Sequence, residues 1–377
     1  MRSLAFIFAA AALMMPAAAG ISKHAAPPKN TVALATTIGG RVVATLIDGQ
    51  TVYTYSWPGV YFEAQFMGDA VDVKVDDEQN DLYLFIDGVH KLTLTRPGRA
   101  TVSLKDLGDG YHTVRLEKAS ETQKSTGRFE GFYVASAKQA LSAPHYERRI
   151  EFIGDSYTVG YGVISRGQTC TVEDVRLTTD TSEAFAPLTA KHFNAAYRIL
   201  ANSGHGIVRN YANMEPGNTI PVLYGYSLFD KSVPAADGDW TPDVVVIGLG
   251  TNDFSTPLGP DEKWRTREEL RADFIGRYVE FVQALNGRWP SAQFILMAST
   301  LYDGEILQEV NAVADTLKSG GMTNLDVIAF SGLDYQACHS HPSLKDESIL
   351  SQMLIARISR LPQFAPQRWE RPRDPKP

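Results

Sequence analysis

The chain has 377 residues, 44% hydrophobic and 21% charged. That is ordinary globular material, enough for two domains. A net charge of -7 argues against a nucleic-acid footprint, and beyond the N-terminus no run of about 18 apolar residues reads as a membrane span.

Residues 1–19 read as an export leader. Arg2 supplies the positive charge, Leu4 to Met15 is a short apolar run, and Ala17 to Ala19 offer small residues for cleavage. The alternative is an uncleaved anchor, for which the run is short. Export would put Cys170 and Cys338 in an oxidising compartment, where they either pair or remain free thiols. Residues 20–38 are expected to be a lead-in.

From 39 to 140 the hydrophobic period is two. Val71, Val73 and Val75 alternate with polar residues, as do Tyr53, Tyr55 and Trp57. "DLYLFIDG" runs into Asp87-Gly88, a strong hairpin signal, and "KLTLT" completes the pair. "TVSLKDLGDGYHTVRLEK" reads as a second strand–turn–strand, turning at Gly108-Asp109-Gly110. About eight short strands with polar turns predict an all-β sandwich.

The pattern changes between about 139 and 149, and 146–361 reads as a second domain. Short apolar strands are expected at Ile150 to Ile153, Tyr197 to Ala201, Val244 to Leu249, "QFILMAS" and "LDVIAF". Helices are expected between them, one with Ser182 as its N-cap. Val244 to Leu249 is continuously apolar, as in a parallel strand buried on both faces. The last helix carries Leu350, Leu354, Ile358 and Leu361 on one stripe. Alternating strand and helix predict an α/β fold with a mostly parallel, flavodoxin-like sheet. Residues 362–377, rich in proline and charge, are expected to be an extended or disordered tail.

Sites in such sheets lie beyond the carboxyl ends of the strands, and four features fall there. Ser156 follows a Gly154-Asp155 turn, either as a nucleophile with its own N–H as an oxyanion donor or as a helix cap. Asn202, Gly204 and Gly206 form a turn that can aim N–H groups at a ligand, or a plain strand-to-helix connection. Asn252 can donate its amide to an oxyanion, or close an Asx-turn. His341, after the last strand, is a candidate general base. Cys338, His339 and His341 together raise a metal site. Neighbouring residues do not easily converge on one tetrahedral ion, however, and no paired C-x-x-C or H-x-x-x-H supplies a fourth ligand.

Serine, glycine, asparagine and histidine, in that order and each after its own strand, resemble the SGNH (GDSL-type) hydrolase superfamily. "GDSYTVGYG", "NSGHG", "GTND" and "HP" look like its blocks. With "IDG", "GYHTVRLEK" and "FEGF" in the sandwich, residues 39 to 361 resemble carbohydrate esterase family 2. The resemblance implies an N-terminal jelly-roll domain and a C-terminal SGNH domain. It also implies removal of O-acetyl groups from xylan, glucomannan and related glycans, with no metal or organic cofactor. Ser156 would be the nucleophile, His341 the base, and Ser156 N–H, Gly204 N–H and the Asn252 amide the oxyanion hole. Cys338 matches the family's cysteine before the histidine, which implies a Cys170–Cys338 disulfide.

The sequence departs from that pattern at the third triad member. The superfamily places aspartate three residues before the histidine, and this family often two before. Those positions are Cys338 and His339 here. His341 would then be oriented by a backbone carbonyl or by an acid from elsewhere, with Asp334 the nearest. Arg209, Asn210, Tyr226, Trp240 and Trp264 are candidate sugar contacts. The expected partner is an acetylated polysaccharide or oligosaccharide, with no nucleic acid, no membrane once the leader is removed, and a monomeric state. Two other readings compete. One is an esterase or lipase of other acyl groups on the same scaffold. The other is a non-catalytic carbohydrate-binding protein.

Overall fold

The computed structural model describes residues 20–23, 31–123 and 125–365. The expected leader, and the expected tail beyond residue 365, lie outside the described residues. The start of that tail is not extended. Pro362–Phe364 form a 3-10 turn, and Phe364 is buried with its ring 5.1 Å from Phe193.

The N-terminal half is an antiparallel sandwich of a seven-stranded and a five-stranded sheet. Neighbours in the first run Gly20–Lys23, Gly98–Leu104, Val71–Asp77, Gly127–Val134, Gln50–Tyr55, Val43–Ile47, with Val32–Ala33 added beside Gly127–Val134. The second runs Thr36–Gly39, Tyr61–Met67, Tyr111–Lys118, Asp81–Ile86, Val89–Thr95. The stretch expected to be a lead-in therefore contributes strands to both sheets. The Asp87-Gly88 hairpin forms, with both residues at positive φ (52° and 76°), the geometry a two-residue turn of the primed type requires. The second expected hairpin does not. Gly98–Leu104 pairs in one sheet and Tyr111–Lys118 in the other, so the turn between them crosses the sandwich. The core holds Phe62 and Phe129 with ring centroids 4.1 Å apart, and Phe132 packed 4.7 Å from Phe129.

The C-terminal half is a five-stranded parallel sheet: β1 (Arg148–Gly154), β2 (Ala195–Ala201), β3 (Val244–Gly248), β4 (Gln293–Ser299) and β5 (Leu325–Phe330), in the order β2-β1-β3-β4-β5. Among its helices are α1 (Ser156–Val159), α2 (Phe185–His192), α3 (Arg267–Arg288), α4 (Glu305–Ser319) and α5 (Leu344–Ile358). β3 shows why its residues are uniformly apolar. Val245 and Ile247 pack into the core that contains α3 and α4, and Val244 and Val246 into the core that contains α2 and α5. Ser182 does not cap α2. Its Oγ donates to Asp180 at 2.6 Å, and the N–H of Phe185 donates instead to Glu347 Oε2 at 2.7 Å. A carboxylate from α5 thus replaces a local cap.

The two halves share buried contacts. Trp57 of the sandwich is fully buried 4.5 Å from the ring of Phe229. The guanidinium of Arg115 lies 3.6 Å over Tyr61 and donates to Tyr197 Oη at 3.0 Å, and Arg176 pairs with Asp81 at 2.7 Å. Trp57→Ala should therefore cost about 3–5 kcal/mol in a denaturant titration, with sandwich and α/β domain still unfolding together. Two separate transitions in the parent protein would contradict that coupling.

Candidate active site

β1 ends at Gly154, where any Cβ would strike the hydroxyl of Thr158, so the first turn of α1 closes tightly against the strand. That turn presents Ser156, whose side chain reaches a cleft of about 580 Å³. Gly204 from the loop after β2, Asn252 from the turn after β3, and His341 from the loop after β5 line the same cleft. The structure thus brings together the four residues singled out in the sequence. They meet beyond the carboxyl ends of the strands, around the β1/β3 point where the strand order reverses.

Ser156 Oγ lies 2.9 Å from His341 Nε2. His341 Nδ1 lies 2.9 Å from the carbonyl oxygen of Cys338. A carbonyl can only accept, so Nδ1 carries the hydrogen and Nε2 is left as the acceptor facing the serine hydroxyl. Burial pushes the imidazole down to about 4, against the weaker upward pull of its backbone partners. Asp334 does not reach His341. Its carboxylate accepts from Ser343 Oγ at 2.8 Å.

Several contacts fix the carbonyl that orients the histidine. Cys338 is joined to Cys170 by a disulfide, which removes it from any set of metal ligands. Gly162 makes room for it, since a side chain there would collide with both Cβ and Sγ of Cys338. The N–H of His339 donates to Gln168 O at 2.7 Å. The His339 ring bridges Tyr161 Oη at 3.0 Å and the carbonyl of Cys170 at 2.9 Å. The Tyr161 ring in turn packs against the His341 ring, tilted by 34° with centroids 4.4 Å apart. His339 and Ser340 both adopt left-handed backbone (φ 54° and 59°), a conformation that costs free energy and persists only where surroundings impose it.

Buried carboxylates shape the other side of the site. Asp253 accepts from three successive backbone N–H groups, Ile207 at 3.0 Å, Val208 at 2.9 Å and Arg209 at 3.0 Å, and so pins the loop after β2. Burial still carries its carboxyl up to about 6. Asp155, also raised by burial, to about 7, accepts from Tyr157 N and lies 3.2 Å from Asn252 Nδ2. The same amide donates to His205 O at 3.0 Å. Among the described residues the N–H groups of Ser156 and Gly204 have no acceptor, which leaves them available to a ligand oxygen.

The expected sugar contacts lie elsewhere. Arg209 is buried in an ion pair with Glu262 at 2.6 Å and donates to Thr256 O and Pro257 O. Asn210 bonds the backbone of its own loop. Trp240 and Trp264 are core residues whose indole N–H groups are satisfied by Glu151 and Asp273. Tyr226 pairs with Pro234 through its backbone, away from the cleft. The cleft wall instead includes Arg96, Glu121 and Gln123 from the sandwich and Tyr161, Tyr211 and Met214 from the α/β domain. Their roles depend on how the two domains dock, which no local pattern announces. Asp253 was the most accessible omission: an acid directly after Asn252 at the tip of a buried strand has to find buried donors.

Comparison with known proteins agrees with this architecture. The carbohydrate esterase 2 N-terminal family matches residues 38–144, and the GDSL-like lipase/acylhydrolase family matches 152–343. An acetylxylan esterase / glucomannan deacetylase of Cellvibrio japonicus is 47% identical over 322 residues, covering 85% of this chain and 89% of that protein. A solved carbohydrate esterase whose active site shows divergent catalytic and non-catalytic binding functions superposes with a TM-score of 0.84 at 44% identity, over 88% of this chain and 99% of the other. A family two carbohydrate esterase from Clostridium thermocellum, solved with cellohexaose, gives 0.74 at 25% identity, over 86% and 98%. The chain is a carbohydrate esterase, a carboxylic ester hydrolase, and belongs to carbohydrate esterase family 2 of the SGNH/GDSL hydrolases.

Proposed function

We propose that the protein removes O-acetyl groups from plant-type polysaccharides or oligosaccharides, such as xylan and glucomannan, through an acetyl-serine intermediate. The observation that carries this reading is the 2.9 Å contact between Ser156 Oγ and an acceptor nitrogen of His341, at the edge of a cleft that also holds Gly204 and Asn252. The 47% identity to an acetylxylan esterase / glucomannan deacetylase supports the substrate class.

Ser156 Oγ attacks the acetyl carbonyl carbon and its proton passes to His341 Nε2. The C=O π bond becomes an oxyanion, which accepts from Ser156 N–H, Gly204 N–H and Asn252 Nδ2. Each donor is worth about 3 kcal/mol of transition-state stabilisation. Both amide hydrogens of Asn252 are already engaged. The longer contact, to Asp155, is the one the oxyanion shares or replaces. Collapse breaks the bond to the sugar oxygen, which takes the proton from His341. Water, deprotonated by the same nitrogen, then attacks the acetyl-serine, releasing acetate and restoring the hydroxyl. Throughout, the Cys338 carbonyl holds the Nδ1–H and stabilises the imidazolium as a dipole rather than as a charge.

We also propose export to an oxidising compartment. The leader pattern over 1–19 and the disulfide support it together.

Ser156→Ala should lower acetate release from acetylated glucomannan or xylan, and p-nitrophenyl acetate turnover, by at least about 10⁴-fold. Asp334→Asn should stay within about twofold of the parent, since its carboxylate bonds Ser343 rather than His341. Equal rates for Ser156→Ala and parent would overturn the mechanism. A large loss in Asp334→Asn would make that acid the orienting group.

The depressed histidine makes a second prediction. A base must be neutral, and His341 is neutral above about 4. The acid limb of kcat/KM for p-nitrophenyl acetate should therefore fall near pH 4, below the ordinary histidine value of about 6.5. A limb near 6.5 would show the ring to be solvated or paired with an anion.

A further inference from the structure

The peptide unit that joins Ser203 to Gly204 carries the oxyanion donor of the loop after β2. Its N–H is one of the two left without an acceptor at the cleft. Among the described residues every peptide bond is trans, and in a planar trans peptide the C=O and N–H point in opposite directions. Whatever holds the Ser203 carbonyl on one side therefore aims the Gly204 N–H on the other. Gly204 sits at φ 82°, a region glycine enters and leaves at little cost, so the orientation of this peptide has to be imposed from outside.

The Ser203 carbonyl accepts from Gln123 Nε2 at 2.8 Å. It also lies 3.0 Å from His205 Nδ1, which carries the hydrogen there because a carbonyl only accepts. Gln123 belongs to the sandwich, not to the domain that carries the nucleophile. The preceding peptide is held by the same loop: the N–H of Ser203 donates to Glu121 Oε1 at 2.8 Å. Both backbone hydrogen-bonding groups of Ser203 thus end on side chains of one sandwich loop, and both of those side chains line the catalytic cleft with Ser156.

That loop is a firm support. The N–H of Ala119 donates to Asp81 O at 3.0 Å, and Thr122 Oγ1 donates to Asn80 Oδ1 at 2.8 Å. Asn80 is itself fully buried and donates to Asp77 Oδ2 at 2.8 Å. Across the seam, the N–H of Thr181 donates to Ala119 O at 2.9 Å, which ties the same loop to the α/β domain. An oxyanion donor acts at full strength only when neighbours hold it within about 0.5 Å of its working position.

We propose that Gln123 and Glu121 are positioning residues of the esterase reaction: through one loop, the sandwich aims the Gly204 N–H at the oxyanion. Neither side chain has to touch the reacting atoms. The inference rests on the esterase reading above and goes beyond it, since docking of the sandwich becomes part of the catalytic geometry. His205 shares the Ser203 carbonyl, so loss of Gln123 weakens the aim without abolishing it. The effect should stay below the roughly 10²–10³-fold cost of removing an oxyanion donor outright.

The test is steady-state kinetics of the full chain on p-nitrophenyl acetate at pH 8, far above the value of about 4 at which His341 loses its proton. Acylation and deacylation each pass through an oxyanion, so both slow together, and kcat falls while KM holds. Gln123→Ala should lower kcat about tenfold, the loss of one hydrogen bond. Gln123→Glu keeps the size of the side chain but, ionised, offers the Ser203 carbonyl no donor, and should lose at least as much. Glu121→Ala frees the Ser203 N–H and should lower kcat likewise. Glu121→Gln, which keeps an acceptor oxygen, should recover most of that loss. Thermal unfolding gives the folded fraction of each variant. A Gln123→Glu enzyme with the parent's kcat would overturn the inference, since packing alone would then account for the residue. So would a rise in KM with kcat held, which would make these side chains substrate contacts, or a kcat loss matched by a smaller folded fraction. Failure of the esterase reading would show separately, as p-nitrophenyl acetate turnover indifferent to Ser156→Ala.

Discussion

The hydrogen bond from His341 Nδ1 to the carbonyl of Cys338, 2.9 Å long, decides which ring nitrogen faces Ser156. A carboxylate in that place would fix the same tautomer and also attract the imidazolium with a full charge. A peptide carbonyl fixes the tautomer with a dipole alone. The consequence is visible in the ring itself: burial dominates, nothing anionic opposes it, and protonation is held down. The ring is therefore a ready base over a wide pH range, and receives less help as an acid.

Because the carbonyl is weaker than a carboxylate, its position matters more. The loop that carries it is held by a covalent link to Cys170, by the backbone bond to Gln168, and by His339 wedged between Tyr161 and the Cys170 carbonyl. His339 stands two positions before the base, where the resemblance predicts an acid. It does not replace that acid. It restrains the loop and holds Tyr161 beside the catalytic ring. The left-handed residues 339 and 340 mark the conformational cost that these restraints offset. Asp253 does the equivalent for the opposite wall, gathering three N–H groups so that the Gly204 turn stays in place.

Much of this was legible in the sequence where burial is two-sided or the period strict. β3 and β4 fall where their continuous apolar runs place them, since a strand covered on both faces leaves little room for polar residues, whereas the edge strand β5 carries Asp326 and is only partly buried. The Asp87-Gly88 turn was legible because its backbone needs those residue types. The turn at 108–110 misled, because a reversal signal is local whereas the choice of sheet is set by distant partners. Ser156, Asn252 and His341 stood out as polar residues, and Gly204 as a turn glycine with a free N–H, beyond successive strands. The aromatic residues proposed for sugar contact rested on aromatic identity alone. Aromatic identity says nothing of burial, and Trp240 and Trp264 have their polar tips satisfied inside the protein. The residues lining the cleft from the sandwich become neighbours of the site only when the domains dock.

The most direct test of the account is the tautomer of His341. Nitrogen-15 spectra of histidine-labelled protein, with His341→Gln used for assignment, report which ring nitrogen carries the hydrogen. The account predicts a neutral Nδ1–H form that persists from pH 8 down to near the value of about 4 to which burial drives it. An Nε2–H form, or a ring that gains its proton close to the ordinary histidine value of about 6.5, would show that the Cys338 carbonyl does not orient the base.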